Sequence, residues 1–107
     1  MSANYHVVLC TCPDQDTATR IAHALLDRDL AACVNVVPGL RSIYRWKGKR
    51  EEGDEVLLLI KARAAAYTQL EACIMEHHPY ELAEIIALPI AAGSSAYLDW
   101  IEHDRKP

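Results

Sequence analysis

Residues 30–63 read LAACVNVVPGLRSIYRWKGKREEGDEVLLLIKAR and contain two extended segments around a charged centre. The first segment, 30–46, is rich in β-branched and aromatic residues, and the second, 55–63, is almost continuously apolar. The segment between them, 47–54, is charged and contains two glycines, as turns do. The stretch therefore predicts a long β-hairpin with its tip at 47–54.

The first strand of this hairpin is unusually long and is interrupted once. Pro38 cannot donate to a strand ladder and Gly39 permits unusual dihedral angles, but β-type residues resume at Ser42, so we expect a bulge or bend there. A strand of about 15 residues exceeds the usual 5 to 6 and must project beyond the body of the domain. A projecting strand pair with apolar positions invites pairing with another chain, so we expect a homo-oligomer joined through the hairpin. The apolar positions are Ile43, Tyr44, Trp46, Val56 and Leu58.

The flanking sequence supplies the other elements of one domain, residues 1–107. We predict strands at 6–11 and 81–90, a helix that begins after Asp14 and ends near 27–29, a helix at 64–78, and a short last helix that begins at 93–95. The order β-α-β-β-α-β is the ferredoxin-like split βαβ pattern. The predicted fold class is α+β, with one four-stranded antiparallel sheet, two helices on one face, and a short C-terminal helix.

Composition and charge narrow the function classes. The chain has 107 residues, 51% of them hydrophobic and 24% charged, which is an ordinary globular mixture. The formal net charge of −4 and the lack of a basic patch argue against nucleic-acid binding. No apolar run approaches the ~20 residues that span a bilayer, and MSANYH shows no signal-peptide pattern, so we expect a cytoplasmic protein with no membrane partner.

The cysteines are expected to be free thiols. A chain of this size in a reducing compartment does not need disulfides, and no CxxC motif is present. The four are Cys10, Cys12, Cys33 and Cys73.

The segment HHPYELAEII, residues 77–86, raises a choice between a helix end and a metal site. Pro79 ends the preceding helix, and histidines at a helix C-terminus interact well with the last carbonyl groups. His77 and His78 point about 100° apart on a regular helix, but at its end His77 can keep the helix face while His78 turns into the loop. The spacing alone favours the helix-end interpretation.

The metal interpretation needs further ligands from elsewhere in the chain. Cys10 and Cys12 are two residues apart on the first strand and therefore share one face. Thiolate and imidazole together suit Cu or Zn, and Glu81 and Glu84 add oxygen atoms. Spacing leaves open whether Cys10 and His77 meet within one chain or between chains. No P-loop, GxGxxG or GxSxG motif occurs, so catalysis is the least expected class and we predict a protein that is not an enzyme.

The sequence resembles the CutA divalent-cation tolerance proteins over nearly its whole length. The matching pieces are CTCPD (10–14), LAACVNVVPGLRSIYRWKGK (30–49), EVLLLIK (55–61), HHPYE (77–81), EII (84–86) and YLDWI (97–101). The resemblance implies a ferredoxin-like subunit in a homotrimer with interlocked hairpins, similar in fold to the PII signalling proteins. It also implies a cytosolic role in tolerance of copper and other divalent cations. The metal positions that it implies are Cys10, His77 and His78, with Glu84 near the same region.

Two positions depart from that pattern. Ala83 stands where the family usually has a proline, which leaves the approach to Glu84 less constrained. Cys12 stands where a small residue without a thiol is common, and it adds either a ligand or a small apolar side chain.

Two other functions remain open: a PII-like sensor, in which Lys61, Arg63 or the basic hairpin residues contact a small anion, and a non-catalytic structural scaffold.

Overall fold

The computed structural model describes residues 4–104, and its elements follow the predicted order. The strands and helices are β1 (Tyr5–Cys12), α1 (Gln15–Asp27), β2 (Cys33–Trp46), β3 (Lys49–Arg63), α2 (Tyr67–His77), β4 (Ile85–Pro89) and α3 (Ser95–His103). Both β1 neighbours are antiparallel to it, and the sheet order is β2-β3-β1-β4. This order is that of the split βαβ fold, so the predicted α+β, ferredoxin-like class is confirmed.

The hairpin tip is much shorter than the sequence predicted. Strand β3 already begins at Lys49, so the prediction of a tip at 47–54 is wrong. Lys47 and Gly48 alone make the turn, with φ angles of 50° and 81°. Positive φ at both central residues is the type I′ pattern, whose twist matches the two flanking strands. The charged residues after the turn are therefore exposed strand residues rather than a loop.

The interruption in β2 is a bulge, as expected. The pairing register with β3 shifts between Val37 and Leu40, and the strand continues on both sides of the shift. Gly39 has a φ of 82°, which is the left-handed region that glycine adopts without a steric penalty. The bulge bends the hairpin without ending it.

Three other boundaries differ from the predictions. Strand β2 begins at Cys33 rather than at 30, because the amide of Leu30 still bonds to the helix, at the carbonyl oxygen of Leu25. A 3-10 turn, Ala64–Ala66, precedes α2. Strand β4 spans only Ile85–Pro89 instead of 81–90, and the residues after Pro79 form a bend that returns the chain to the sheet.

The two faces of the sheet are covered differently. Helices α1 and α2 pack on one face, where the largest fully buried side chains lie: Ile21, Leu25, Leu58, Ile60, Leu70, Ile74, Val8, Cys10 and Cys12. The opposite face, here called the open face, carries apolar side chains from all four strands. They include Val7, Leu9, Val37, Leu57, Leu59, Ile86 and Leu88. Ile86 and Leu88 are 49% and 47% exposed, so this face has an incomplete cover within one chain.

Between residues 4 and 104, no helix is long and apolar enough to cross a membrane.

Candidate metal centre

The end of strand β1 brings two thiols to the helix side of the sheet. Cys10 and Cys12 alternate with Thr11 along the strand, so both side chains point into the core. Both cysteines are fully buried. Helix α1 begins three residues after Cys12. Both thiols belong to the same buried cluster as Ile21 of α1 and Ile74 of α2.

His78 closes this region from the end of α2. Because Pro79 follows it, His78 leaves the helix with φ −92° and ψ 133°, an extended conformation. Strand β4 pairs with β1 only as far as the Ile85–Cys10 pair. One residue further along, the carbonyl oxygen of Thr11 lies 2.7 Å from Nε2 of His78. The imidazole of His78 thus bonds to a backbone oxygen of β1 that lies just beyond the residues paired with β4.

The ligand atoms of Cys10, Cys12 and His78 all lie within 4.8 Å of one another. Among the described residues, no other group of three or more His, Cys, Asp or Glu side chains is as close. Two thiols and one imidazole form a soft donor set that suits Cu(I) or Zn(II) and disfavours hard cations such as Mg(II). The residue types therefore fit a thiophilic metal ion.

The two thiols differ in acidity. The Cys10 thiol donates to the Thr11 carbonyl oxygen at 3.8 Å. Its interaction with the neighbouring Cys12 sulfur, together with burial, raises the pKa of Cys10. The same interaction between the two sulfur atoms lowers the pKa of Cys12. The two thiols titrate as a pair, and two negative charges side by side in the core would require a cation. A metal ion held by Cys10 and Cys12 would supply that charge, and its binding would release the remaining thiol proton.

The imidazole of His78 already has a partner at each nitrogen. Nε2 donates to the Thr11 carbonyl oxygen, and Nδ1 accepts from the amide of Tyr80 at 3.2 Å. These bonds define a neutral ring. A metal ion bound by His78 would replace one of the two bonds, and the remaining bond would then orient the ring, as is common for metal-bound histidines.

The structure brings together only part of the predicted ligand set. Cys10 and His78 meet, but Nδ1 of His77 lies 2.8 Å from the carbonyl oxygen of Cys73, one helical turn back. His77 therefore performs the helix-end role that the spacing favoured. Glu84 is exposed and outside the cluster, although its charge contributes to the raised pKa of Cys10. Cys12, which the sequence left open as either a further ligand or a small apolar side chain, belongs to the cluster. The spacing of Cys10 and Cys12 on one strand was the sequence feature that indicated it.

A groove lies beside the cluster, between the hairpin and the segment that follows Pro79. Its volume is about 570 Å³. Two of its lining residues are joined by a hydrogen bond, in which the hydroxyl of Tyr80 donates to Oε2 of Glu55 at 2.8 Å. The lining residues are Thr11, Ser42, Tyr44, Arg45, Trp46, Glu55, Pro79, Tyr80, Glu81, Leu82 and Glu84.

Fold and site together define a class: small ferredoxin-like domains with a buried thiol–imidazole cluster at one end of the sheet. Residues 6–104 match the family described as CutA1 divalent ion tolerance protein, so the chain belongs to that family. The divalent-cation tolerance protein CutA of Thermus thermophilus is 50% identical over 98 residues, which cover 92% of this chain and 95% of that protein. Protein CutA of Homo sapiens is 47% identical over 91 residues, which cover 85% of this chain and 51% of the human protein.

Solved structures of relatives have the same fold. The divalent cation tolerance protein from Thermus thermophilus superposes with a TM-score of 0.92 at 48% identity, covering 95% of this chain and 99% of that one. CutA1 from Shewanella sp. superposes with a TM-score of 0.93 at 37% identity and covers 100% of both chains.

Proposed function

We propose that this protein binds a thiophilic metal ion, copper in the first place, through Cys10, Cys12 and His78. The observation that carries the proposal is the convergence of two buried thiols and one imidazole within 4.8 Å. The relatives are described as divalent-cation tolerance proteins, and capture of a toxic cation by buried thiolates is a direct way to tolerate it. Zinc is the second candidate, because its three protein ligands would leave a fourth position for water.

Binding is expected to depend on pH. The thiols must lose their protons before they ligate, and His78 must offer a neutral ring nitrogen. Affinity should therefore fall as the pH is lowered, most steeply below about pH 6, where histidines begin to protonate. The raised pKa of Cys10 adds to this dependence, because its proton is released only when the metal ion enters.

A homotrimer is proposed as the working form. Ile86 and Leu88 are half exposed on the open face and lie beside Leu9 and Val7 on the central strand. Monomeric soluble proteins rarely expose contiguous apolar patches of this kind, and a second copy would cover it. The projecting hairpin supplies a further contact surface, and the resemblance to the CutA family supports three subunits.

A PII-like anion sensor is the weaker proposal. Lys61 donates to Oδ1 of Asn35, and Arg63 donates to the carbonyl oxygen of Asp29 at 3.3 Å. An anion would compete with these bonds for both cations. The scaffold role remains the outcome if neither ligand binds.

A cytoplasmic location is also proposed. All four cysteines are free, and two of them belong to the proposed centre. Free thiols of this kind persist in a reducing compartment.

Calorimetric titration with Zn²⁺, and with Cu⁺ under anaerobic conditions, tests the metal proposal. Wild type should bind with at least micromolar affinity, and Cys10→Ser, Cys12→Ser and His78→Gln should each lose about ten-fold or more. Cys33→Ser is the matched control, because Cys33 lies on β2 outside the cluster. Circular dichroism should show that each variant is folded. Equal heats for wild type and the cluster variants would remove these residues from the site.

A further inference from the structure

Cys10 and Cys12 form a pair of thiols that can bind a ligand without the imidazole of His78. Both side chains are fully buried in the core. They leave β1 on its helix side, so neither belongs to the open face on which a second copy is proposed to pack. Their sulfur atoms lie within 4.8 Å of each other. The pair is therefore a dithiol held inside one domain.

The spacing of the two cysteines disfavours a direct disulfide. Residues two apart on a strand have Cα atoms about 6.4–6.8 Å apart, because each residue adds about 3.2–3.4 Å. Disulfides usually join Cα atoms about 4.4–6.8 Å apart, and most often about 5.5–6 Å apart. The pair lies at the upper limit of that range, and both cysteines are free thiols in the structure. One larger atom bonded to both sulfurs would span the gap with less strain than a sulfur–sulfur bond.

The burial of the pair favours a ligand that brings no net charge into the core, where an unpaired charge is costly. Trivalent arsenic compounds are neutral, exchange their hydroxyl groups for thiols, and are soft acceptors that match soft sulfur donors. We propose that Cys10 and Cys12 bind a trivalent arsenic compound, with arsenic bridging the two sulfur atoms. The inference builds on the proposed function, since both use the same two thiols, but it does not require His78.

The reaction balances without an oxidant or a reductant. A small probe is needed because neither thiol has exposed surface. Methylarsonous acid, a methyl group and two hydroxyl groups on trivalent arsenic, provides one exchangeable hydroxyl for each thiol. Two S–H bonds and two As–O bonds break, two As–S bonds form, and the thiol protons leave with the hydroxyl groups as two molecules of water. Arsenic keeps its oxidation state, and the charge of the protein does not change.

A second arsenic compound supplies the matched control. Dimethylarsinous acid has a single hydroxyl group and can bond to one thiol only. In anaerobic calorimetric titrations of the full chain, methylarsonous acid should bind at least about 100-fold more tightly, because its second bond forms within the same protein molecule. Mass spectrometry of the intact chain should show an adduct formed with loss of two molecules of water, whereas an adduct on one thiol loses only one.

Cysteine variants locate the adduct. Cys10→Ala and Cys12→Ala should each lower the affinity for methylarsonous acid about 100-fold and give only the adduct that loses one water. Cys33→Ala and Cys73→Ala are the controls, because neither residue belongs to the group formed with His78, and both should keep the bridged adduct. Circular dichroism should show that each variant is folded.

His78→Gln separates this inference from the proposed function. This variant should bind methylarsonous acid as tightly as wild type does, while its affinity for zinc falls about ten-fold or more. A bridged adduct in a wild-type protein that binds no zinc would support the inference and contradict the proposed metal function. Zinc binding without a bridged adduct, equal affinities for the two arsenic compounds, or an unchanged affinity in Cys12→Ala would overturn the inference.

Discussion

Nε2 of His78 lies 2.7 Å from the carbonyl oxygen of Thr11 and joins the end of helix α2 to the end of strand β1. The bond occurs one residue beyond the last β1–β4 pair, and the Cys10 thiol donates to the same oxygen at 3.8 Å. The same residue closes the thiol cluster. One side chain therefore has a structural role and a proposed ligand role, and experiments must separate the two.

Removal of His78 should destabilise the fold even without a metal ion. In His78→Ala, the carbonyl group of Thr11 loses its imidazole donor and keeps the weak thiol donor of Cys10, so we expect the free energy of unfolding to fall by about 1–2 kcal/mol. Urea unfolding of metal-free protein measures this change. His103→Ala is the control, because His103 bonds to the Asp99 carbonyl oxygen on an exposed helix end, and its effect should stay within about 0.5 kcal/mol. Equal losses in the two variants would contradict the structural role.

The turn at the hairpin tip should be sensitive to a single methyl group. Gly48 has a φ of 81°, and its added Cβ would meet no atom within 4 Å, so the cost of Gly48→Ala is backbone strain alone. We expect a loss of about 1 kcal/mol in the free energy of unfolding. Gly53→Ala serves as the comparison, because Gly53 has equally open surroundings and no positive φ. If Gly48→Ala were as stable as Gly53→Ala, this result would contradict the assignment of a two-residue turn with positive φ at Gly48.

The first turn of α1 should contribute a pH-dependent stability. Asp14 accepts from the Thr17 amide at 2.8 Å, and this bond lowers the pKa of Asp14. Because the folded pKa lies below the unfolded value of about 3.9, the stabilisation is full above that value and is lost as pH falls through the folded pKa. Asn caps a helix equally well but does not titrate. Between about pH 5 and pH 2, wild type should thus lose more stability than Asp14→Asn, and parallel curves would contradict this.

The open face should control assembly. We expect Ile86→Lys/Leu88→Lys to shift the mass measured by light scattering from the oligomer towards the 12.0 kDa monomer, because the charges would have to enter an apolar interface. Met75→Lys is the matched control: Met75 is 60% exposed but lies on α2, on the other side of the sheet. A wild-type mass near 12.0 kDa, or an unchanged oligomer in the double variant, would contradict the proposed interface.

The secondary-structure elements could be predicted from the sequence where one face packs in the core, because the core requires apolar residues at regular positions. Strands β1 and β3 carry short apolar runs and helix α1 carries one apolar face, and these residues form the core, so their order and the fold class could be predicted. The far end of the hairpin has no core to impose a pattern. Glu51 and Glu52 therefore resembled a loop, although they pair with Tyr44 and Ile43 across the strands.

The candidate centre could be predicted only in part, because its members come from distant parts of the chain. That Cys10 and Cys12 share a face follows from their spacing. That His78 rather than His77 reaches them depends on where α2 ends and on the extended conformation that Pro79 imposes on His78. The helix end was visible in the sequence, but its position against β1 was set by packing of the whole domain.

X-ray absorption at the zinc edge tests the central claim most directly, since zinc can be added without oxidising the thiols. For wild type loaded with one equivalent of Zn²⁺, we predict two sulfur neighbours at about 2.3 Å together with nitrogen at about 2.0–2.1 Å. Cys12→Ser should retain one sulfur, and Cys10→Ser/Cys12→Ser should retain none. A wild-type spectrum with only oxygen and nitrogen neighbours, or sulfur neighbours that persist in the double variant, would contradict a metal centre built from Cys10, Cys12 and His78.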